Sequence, residues 1–338
     1  MKKVLVTGSQ GFLGSYICRD LLKRGYEVLG VDNYSKYGKI VRSHDSHSNF
    51  EVLELDIDAP LEGDALDKWN SYKPDYIICA AAMIGGIGYF HKYAYDLLAV
   101  NERILATTFD KAIACRDTLK RVIVLSSSMA FENTDVFPTN EEQVKKCSPP
   151  FSTYGFQKLA SEYFAKGAWE QYEVPFTIIR PFNCVGVGEQ FVGEEEEKLN
   201  LGHVLPSLIY KILSKQTPLQ ILGDGNQVRC FTNGVDFAKG VRMALESDKA
   251  VNEDFNISID KPYSILELAK IIWSKLRPDE EFEYVCLDPF MHDVQLRVAD
   301  VSKAEKVLGF KADISVEESI DEVIEHVREL YFEGVKNG

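Results

Sequence analysis

The stretch VLVTGSQGFLG, residues 4–14, decides the fold. Its opening residues are apolar and β-branched, the composition of a strand buried on both faces. Thr7-Gly8 ends that run, and Leu13, Ile17, Leu21 and Leu22 then recur at helical spacing. A strand, a glycine-rich turn and a helix start therefore follow one another. Gly8, Gly11 and Gly14 stand in a GxxGxxG spacing. Glycines there permit a tight turn and let backbone amides approach a pyrophosphate, which the helix N-terminus attracts. Read alone, the same residues also describe a purely structural turn.

Two carboxylates bear on that choice. Glu27 to Val31 is a second strand-like run, and it ends at Asp32. A carboxylate at that place accepts hydrogen bonds from both ribose hydroxyls and repels a 2′-phosphate, so NAD is favoured over NADP. No arginine at position 9, 10 or 33 softens that repulsion. Asp56-Ile57 closes a third run, Phe50 to Leu55, where a carboxylate reaches an adenine amino group. The expected cofactor contacts are Gly8, Gln10, Gly11, Phe12, Leu13, Gly14, Asp32, Asn33, Asp56 and Ile57.

Further along, Tyr76 to Ala80, Arg121 to Leu125 and Pro175 to Ile179 read as strands. Residues 92–115 and 153–172 read as long helices. This alternation predicts an α/β chain: a Rossmann doubly wound parallel sheet with a smaller C-terminal α/β substrate-binding lobe. The expected division is 1–180 for the dinucleotide domain and 181–338 mainly for the lobe, with 223–250 returning to the main sheet. Further helices are expected at 204–214, 235–246, 264–276 and 315–330, in a lobe interleaved with the end of the main sheet. Residues 34–49 are polar and read as a loop in which His44 and His47 are solvated. The acidic run Glu194 to Glu197 reads as a solvated loop.

The 338 residues are 45% hydrophobic, enough to bury a sizeable core. The net charge of −14 repels phosphate backbones and acidic membranes, which argues against nucleic-acid and membrane partners. Seven cysteines show no CxxC pair, and several sit in apolar runs, as expected of buried reduced thiols. The six histidines form no HxxxH or HExxH pattern, so no metal is expected. No long apolar span occurs, and the apolar N-terminal run is broken by Gly8, Gln10 and Gly11. The expected location is the cytoplasm.

Tyr154 and Lys158 are four apart on the helix expected at 153–172, so both project from one face. Ser127 lies just past the fifth strand, in LSSSMAF. A nearby ammonium, with a nicotinamide's positive charge, would lower the tyrosine pKa from about 10. Tyrosinate then acts as base on a sugar hydroxyl while a hydride leaves the carbon. Ser127 would hold the same oxygen; in isolation it reads equally as a strand-end cap.

Together these features resemble the extended short-chain dehydrogenase/reductase family that works on nucleotide sugars. The matching segments are TGSQGFLG (7–14), VDN (31–33), LDI (55–57), AAA (80–82), Asn101, SSS (126–128), YGFQK (154–158), RPFN (180–183), GDGNQVRCF (223–231) and ADVSKAEKVLGF (299–310). The resemblance implies catalysis by Ser127, Tyr154 and Lys158. It adds Ala80, Ala81, Ala82, Asn101, Tyr154, Lys158 and Pro181 to the cofactor contacts. It places Ser128, Met129, Asn183, His203, Val204 and Arg229 at the substrate, with Asn183 and Arg229 on its pyrophosphate. It also implies a homodimer built from the helices at 92–115 and 153–172.

Two segments bear on the substrate. AAMIGGIG (81–88) and GHVLPSLI (202–209) look like segments of GDP-fucose synthases, the second placing His203 where those enzymes carry a histidine acid-base. Their partner cysteine is replaced by Met129, and they use NADPH. The 4,6-dehydratases carry Asp-Glu after the serine or threonine, where this chain has Ser128-Met129. Phe290 replaces an arginine often found near the pyrophosphate. By elimination the expected activity is a carbon-4 epimerase cycle through a 4-keto sugar on a GDP-, UDP- or dTDP-sugar. A 3,5-epimerase, a 4-reductase or 4-dehydrogenase, a 4,6-dehydratase, a decarboxylase and a catalytically silent NAD-binding module remain open.

Overall fold

The computed structural model describes residues 1–191, 198–289 and 294–333. The Glu194–Glu197 run, Phe290 and His292 lie outside the described residues. In chain order the first part comprises β1 (Lys3–Thr7), α1 (Phe12–Lys23), β2 (Glu27–Asp32), β3 (Phe50–Glu54), α2 (Gly63–Ser71), β4 (Tyr76–Cys79), α3 (Ile87–Lys92), α4 (Ala94–Ala114), β5 (Arg121–Leu125), α5 (Thr153–Tyr172) and β6 (Phe176–Pro181). Then come β7 (Cys184–Val185), α6 (Lys198–Leu201), α7 (Val204–Leu213), β8 (Leu219–Leu222), β9 (Val228–Cys230), β10 (Thr232–Asn233), α8 (Gly234–Glu246), β11 (Glu253–Ile257), β12 (Pro262–Ser264), α9 (Ile265–Leu276), β13 (Tyr284–Leu287), β14 (Leu296–Arg297), α10 (Ser302–Leu308) and α11 (Val316–Tyr331).

Seven strands form one parallel sheet in the order β11-β6-β5-β4-β1-β2-β3. Val4, Leu5 and Val6 of β1 are wholly buried because helices cover both faces. Ile17 and Leu21 of α1 pack with Phe237 and Val241 of α8 on one side. Leu105 and Phe109 of α4 pack with Ala165 and Ala168 of α5 on the other. The chain winds outward from β1 to β3, then returns to β4 on the opposite side of β1. Neighbouring connections diverge there and leave a crevice at the carboxyl ends of the strands.

A separate apolar core gathers α7, α9 and α11 around β8, with Leu205, Ile209, Leu268, Ile272, Ile320 and Val323. This lobe borders the crevice. The C-terminal strand in the main sheet is β11, parallel to β6.

Two local expectations change. The helix expected over 92–115 is interrupted at Tyr93, whose φ of −115° and ψ of 35° leave helical values, so α3 and α4 are distinct. The loop at 34–49 is not uniformly solvated. Its middle folds back over the glycine turn, and Arg42 donates from Nε and Nη2 to the Gln10 carbonyl at 3.1 and 2.7 Å. His44, expected in solvent, is buried with its ring edge-on to Phe50 at 4.6 Å. Burial pushes its pKa down to about 4. His47 stays exposed.

Candidate active site

The crevice opens into a cavity of about 870 Å³ walled by both lobes. Its floor is the turn after β1. Gly8 has φ +71°, and a Cβ there would lie 2.6 Å from the Ala81 backbone. A Cβ on Gly14 would meet the Gly8 carbonyl at 1.9 Å. Any side chain would separate the turn from Ala80–Ala82 or from α1. Gly11 caps α1 and brings no side-chain acceptor to its first turn. Those amides, at the positive end of the helix, remain available to an anion. The Gln10 Oε1 atom, also at this wall, is buried without a partner.

Asp32 lies where the adenosine half of a dinucleotide would run. Its Oδ2 accepts from Gln10 N–H at 2.9 Å and its Oδ1 from Tyr34 N–H at 2.8 Å. Each oxygen keeps a further lone pair for a ribose hydroxyl. Asn33, Asp56 and Ile57 share the wall, as do Gln10, Phe12, Leu13, Ala80, Ala81, Ala82 and Pro181. Uncapped amides, obligatory glycines and a fixed carboxylate fit a dinucleotide diphosphate and ribose. Asn101 stands behind this wall and does not line it. Its amide holds Met83 at both main-chain groups, at 2.7 and 3.0 Å, and so fixes the segment after β4.

The structure brings Ser127, Tyr154 and Lys158 together at the cavity's inner end. The start of α5 is set by Ser152, whose Oγ accepts from Gly155 N–H at 2.9 Å while Glu132 accepts from Ser152 N–H and Oγ–H, each at 2.9 Å. Four residues beyond Tyr154, Lys158 Nζ donates to the Leu125 carbonyl at 3.1 Å and sits 5.9 Å from the Tyr154 ring centre. Ser127 Oγ accepts from Met129 N–H at 3.1 Å, so it caps the short turn Ser128–Phe131, and its hydroxyl lies near enough to Tyr154 to act on the phenol's pKa.

The electrostatics differ from the sequence expectation. Burial pushes the Tyr154 phenol above its ordinary value, and the Ser127 hydrogen bond and the Arg297 charge offset only part of that. Phe90 stacks on the Tyr154 ring at 4.0 Å, and Leu97 and Met129 close the remaining side. Burial also pushes the Lys158 ammonium down to about 8, against the pull of Cys79 and Glu102. In the protein alone the phenol therefore holds its proton more tightly, because desolvation outweighs its neighbours.

The other half of the cavity holds Ser128, Met129, Asn183, His203, Val204 and Arg229. Asn183 takes φ +37°, and its Oδ1 is buried without a partner, an acceptor suited to a hydroxyl or amide donor. Arg229 lines the wall, but its guanidinium also donates to the carbonyls of Val228, Val294 and Gln295, bracing β14. Three lining residues escaped sequence reasoning. Arg297 is brought beside Arg229 by the parallel pairing of β14 with β9. Phe90 covers Tyr154, and Glu189 contacts His203 through Nδ1. Their only sequence signal was a charged or aromatic residue in a segment without periodicity.

The sequence profile of the NAD dependent epimerase/dehydratase family matches residues 4–258. A UDP-glucuronic acid decarboxylase 1 of Danio rerio is 26% identical over 333 residues, covering 97% of this chain and 73% of that protein. Among solved structures, a UDP-glucose 4-epimerase of Thermotoga maritima with UDP-glucose superposes with a TM-score of 0.81 at 26% identity, covering 97% and 99% of the two chains. A UDP-glucuronic acid 4-epimerase of Bacillus cereus, in complex with UDP-glucuronic acid and NAD, gives 0.82 at 25% identity, covering 97% and 100%. No described helix is long and apolar enough to cross a membrane.

Proposed function

Because the chain belongs to the NAD dependent epimerase/dehydratase family, we propose that it uses NAD to invert carbon 4 of a nucleotide sugar through a 4-keto intermediate. UDP-sugars are the first candidates, since the similar structures are named for them. When bound, NAD supplies the two-electron acceptor and donor, and its cationic ring favours tyrosinate. Gly8, Gly11 and Gly14 with the first turn of α1 would hold its diphosphate, and Asp32 its adenine ribose.

The observation that carries this reading is the composition around Tyr154. Its apolar packing neighbours are Ile84, Tyr89, Phe90, Leu97, Met129 and Val294, and the polar groups that act on the phenol are Ser127, Arg297 and Cys184, not a carboxylate or histidine. One phenol is thus the proton-transfer group at the reacting carbon. Tyr154 Oη takes the proton of the sugar hydroxyl as the ketone forms and returns it when the alcohol is rebuilt. Ser127 holds the hydroxyl oxygen, and Lys158 stabilises the phenolate. The apolar wall lets the keto sugar turn over and excludes water. A 4-epimerase requires no further acid or base, whereas 3,5-epimerisation and dehydration do.

A second reading is favoured by Arg297, whose charge acts on Tyr154 from the cavity wall. There a guanidinium suits the carboxylate of a uronic acid, and a 4-ketone beside such a carboxylate releases carbon dioxide. Incubating the protein with NAD and UDP-glucose, UDP-glucuronic acid and their GDP and dTDP counterparts separates the readings. A product of unchanged mass inverted at carbon 4 supports epimerisation; loss of carbon dioxide supports decarboxylation. Tyr154→Phe is expected to abolish either while keeping the fold by circular dichroism. Turnover retained by that variant removes Tyr154 as the base.

A further inference from the structure

His203 and Glu189 meet across the cavity wall, on elements that come from separate parts of the chain. His203 is the residue before α7, with φ −77° and ψ 157°, and its side chain does not cap that helix. The Nδ1 atom of its ring is held by Glu189 Oε1. His203 Nε2 makes no hydrogen bond among the described residues. The two side chains keep 38% and 10% of their exposure, so the imidazole reaches the cavity while the carboxylate lies behind it.

Glu189 is a buried anion with several partners. Burial raises its pKa, but His203, Lys36 and His326 together bring it below the ordinary carboxylate value. His326 Nε2 accepts from Gly188 N–H at 3.0 Å, on the same turn as Glu189. Arg42 donates to the Gly188 carbonyl at 3.2 Å, and Tyr37 lies within the same field. The turn is thus anchored from the 34–49 loop and from α11, and the carboxylate is fixed before a substrate arrives. A histidine held at one nitrogen by a fixed carboxylate has one tautomer and one ring orientation, with the other nitrogen directed away.

We propose that Glu189 is a positioning residue for the substrate's diphosphate: its carboxylate accepts from His203 Nδ1–H and aims Nε2 into the cavity as a phosphate ligand beside the first amides of α7. Two features select an anion. The N-terminal amides of α7 lack a side-chain cap, and the positive end of this ten-residue helix faces the place His203 borders. Lys36, which also lines the cavity, adds positive charge next to Glu189. With Nδ1–H given to Glu189, Nε2 donates to a phosphate oxygen only in the imidazolium form, which carries a proton on both nitrogens and is paired with the Glu189 carboxylate. The proposal rests on the nucleotide-sugar reading above.

The test is a double-mutant cycle on binding of UDP and GDP to the NAD-loaded protein, measured by isothermal titration calorimetry. Glu189→Gln and His203→Asn are each expected to weaken the better-bound nucleotide by on the order of tenfold. The double variant should be no weaker than the weaker single one, because both changes remove one interaction. In the ¹⁵N spectrum of the histidine rings, UDP should move the His203 Nε2 signal in the wild type and move it less in Glu189→Gln. Losses that multiply to about a hundredfold in the double variant, or unchanged affinity in Glu189→Gln, overturn the proposal. Should Glu189→Gln fail to fold, unchanged nucleotide affinity in His203→Asn overturns it equally. A wild-type protein that binds neither nucleotide overturns the nucleotide-sugar reading itself.

Discussion

Lys158 is enclosed by β4, β5 and α4, and its charge is held there by the Leu125 carbonyl at 3.1 Å and the fields of Cys79 and Glu102. Those partners do not recover the lost hydration, which is why its pKa falls to about 8. An unfolded lysine keeps its proton up to about 10.4. Between these values the unfolded chain binds more protons than the folded one, so folding stability rises with pH across that window. In the cofactor-free protein, the stability difference between wild type and Lys158→Met is therefore expected to shift in favour of wild type by about 2 kcal/mol from about pH 7.5 to 9.5. Guanidinium unfolding at both pH values measures it; a constant difference means that the lysine titrates near its ordinary value. The Tyr154/Lys158 pair was legible in the sequence because four residues make one helical turn. The upward movement of the phenol was not, because Phe90, Leu97 and Met129 reach it from three other segments.

At the scale of elements, the placement of α5 rests on a buried ionic network behind the site. Arg180 on β6 donates from Nε and Nη2 to the two Glu162 oxygens, both at 2.7 Å, and from Nη1 to Asp254 at 2.8 Å. Ser126 Oγ donates to Glu162 at 2.8 Å, linking the end of β5 to the same helix. Arg180 and Glu162 are fully buried, so removing one partner strands the other. Glu162→Ala is expected to cost about 3–5 kcal/mol of stability by urea unfolding; a loss below about 1 kcal/mol would mean that Asp254 alone satisfies the guanidinium. A different contact sets α3. Gly86 N–H donates to the Leu201 carbonyl at 2.8 Å, and a Cβ on Gly86 would lie 2.1 Å from the Gly202 carbonyl. Gly86→Ala should therefore push the 85–88 segment off the residues preceding His203 and raise KM for the nucleotide sugar several-fold. Steady-state kinetics with unchanged KM would show that this contact does not shape the substrate half. Strands and long helices were readable from apolar runs and helical spacing, and the helix expected over 153–172 coincides with α5. The break at Tyr93, the fold-back of Arg42 and His44, and the pairing of β14 with β9 were not, because each depends on contacts between residues far apart in sequence.

At the scale of the molecule, α4 and α5 pack side by side over one face of the sheet, and their outer surface carries aromatic side chains. Phe156 and Tyr163 are 48% and 65% exposed and lie seven residues apart on α5, hence on one face. Tyr95, at the start of α4, is 80% exposed. Their inward neighbours Tyr154, Lys158 and Glu162 belong to the site and its support, so this helix has one side committed to chemistry while the other carries exposed rings. Rings exposed in a row on a packed helix favour burial against a second protein surface, and a two-fold copy of the same surface offers complementary helices at no cost in new sequence. We therefore expect a homodimer through α4 and α5. Light scattering after size exclusion should give twice the monomer mass for the wild type, and Phe156→Glu with Tyr163→Glu should give the monomer, since two charges would be forced into an apolar contact. Because Tyr154 and Lys158 sit on the opposite side of that helix, the paired variant also asks whether the dimer supports the site: a monomer with intact NAD affinity but lowered turnover assigns the interface a role in holding α5. A wild-type monomer, or a variant that remains dimeric, rejects this interface.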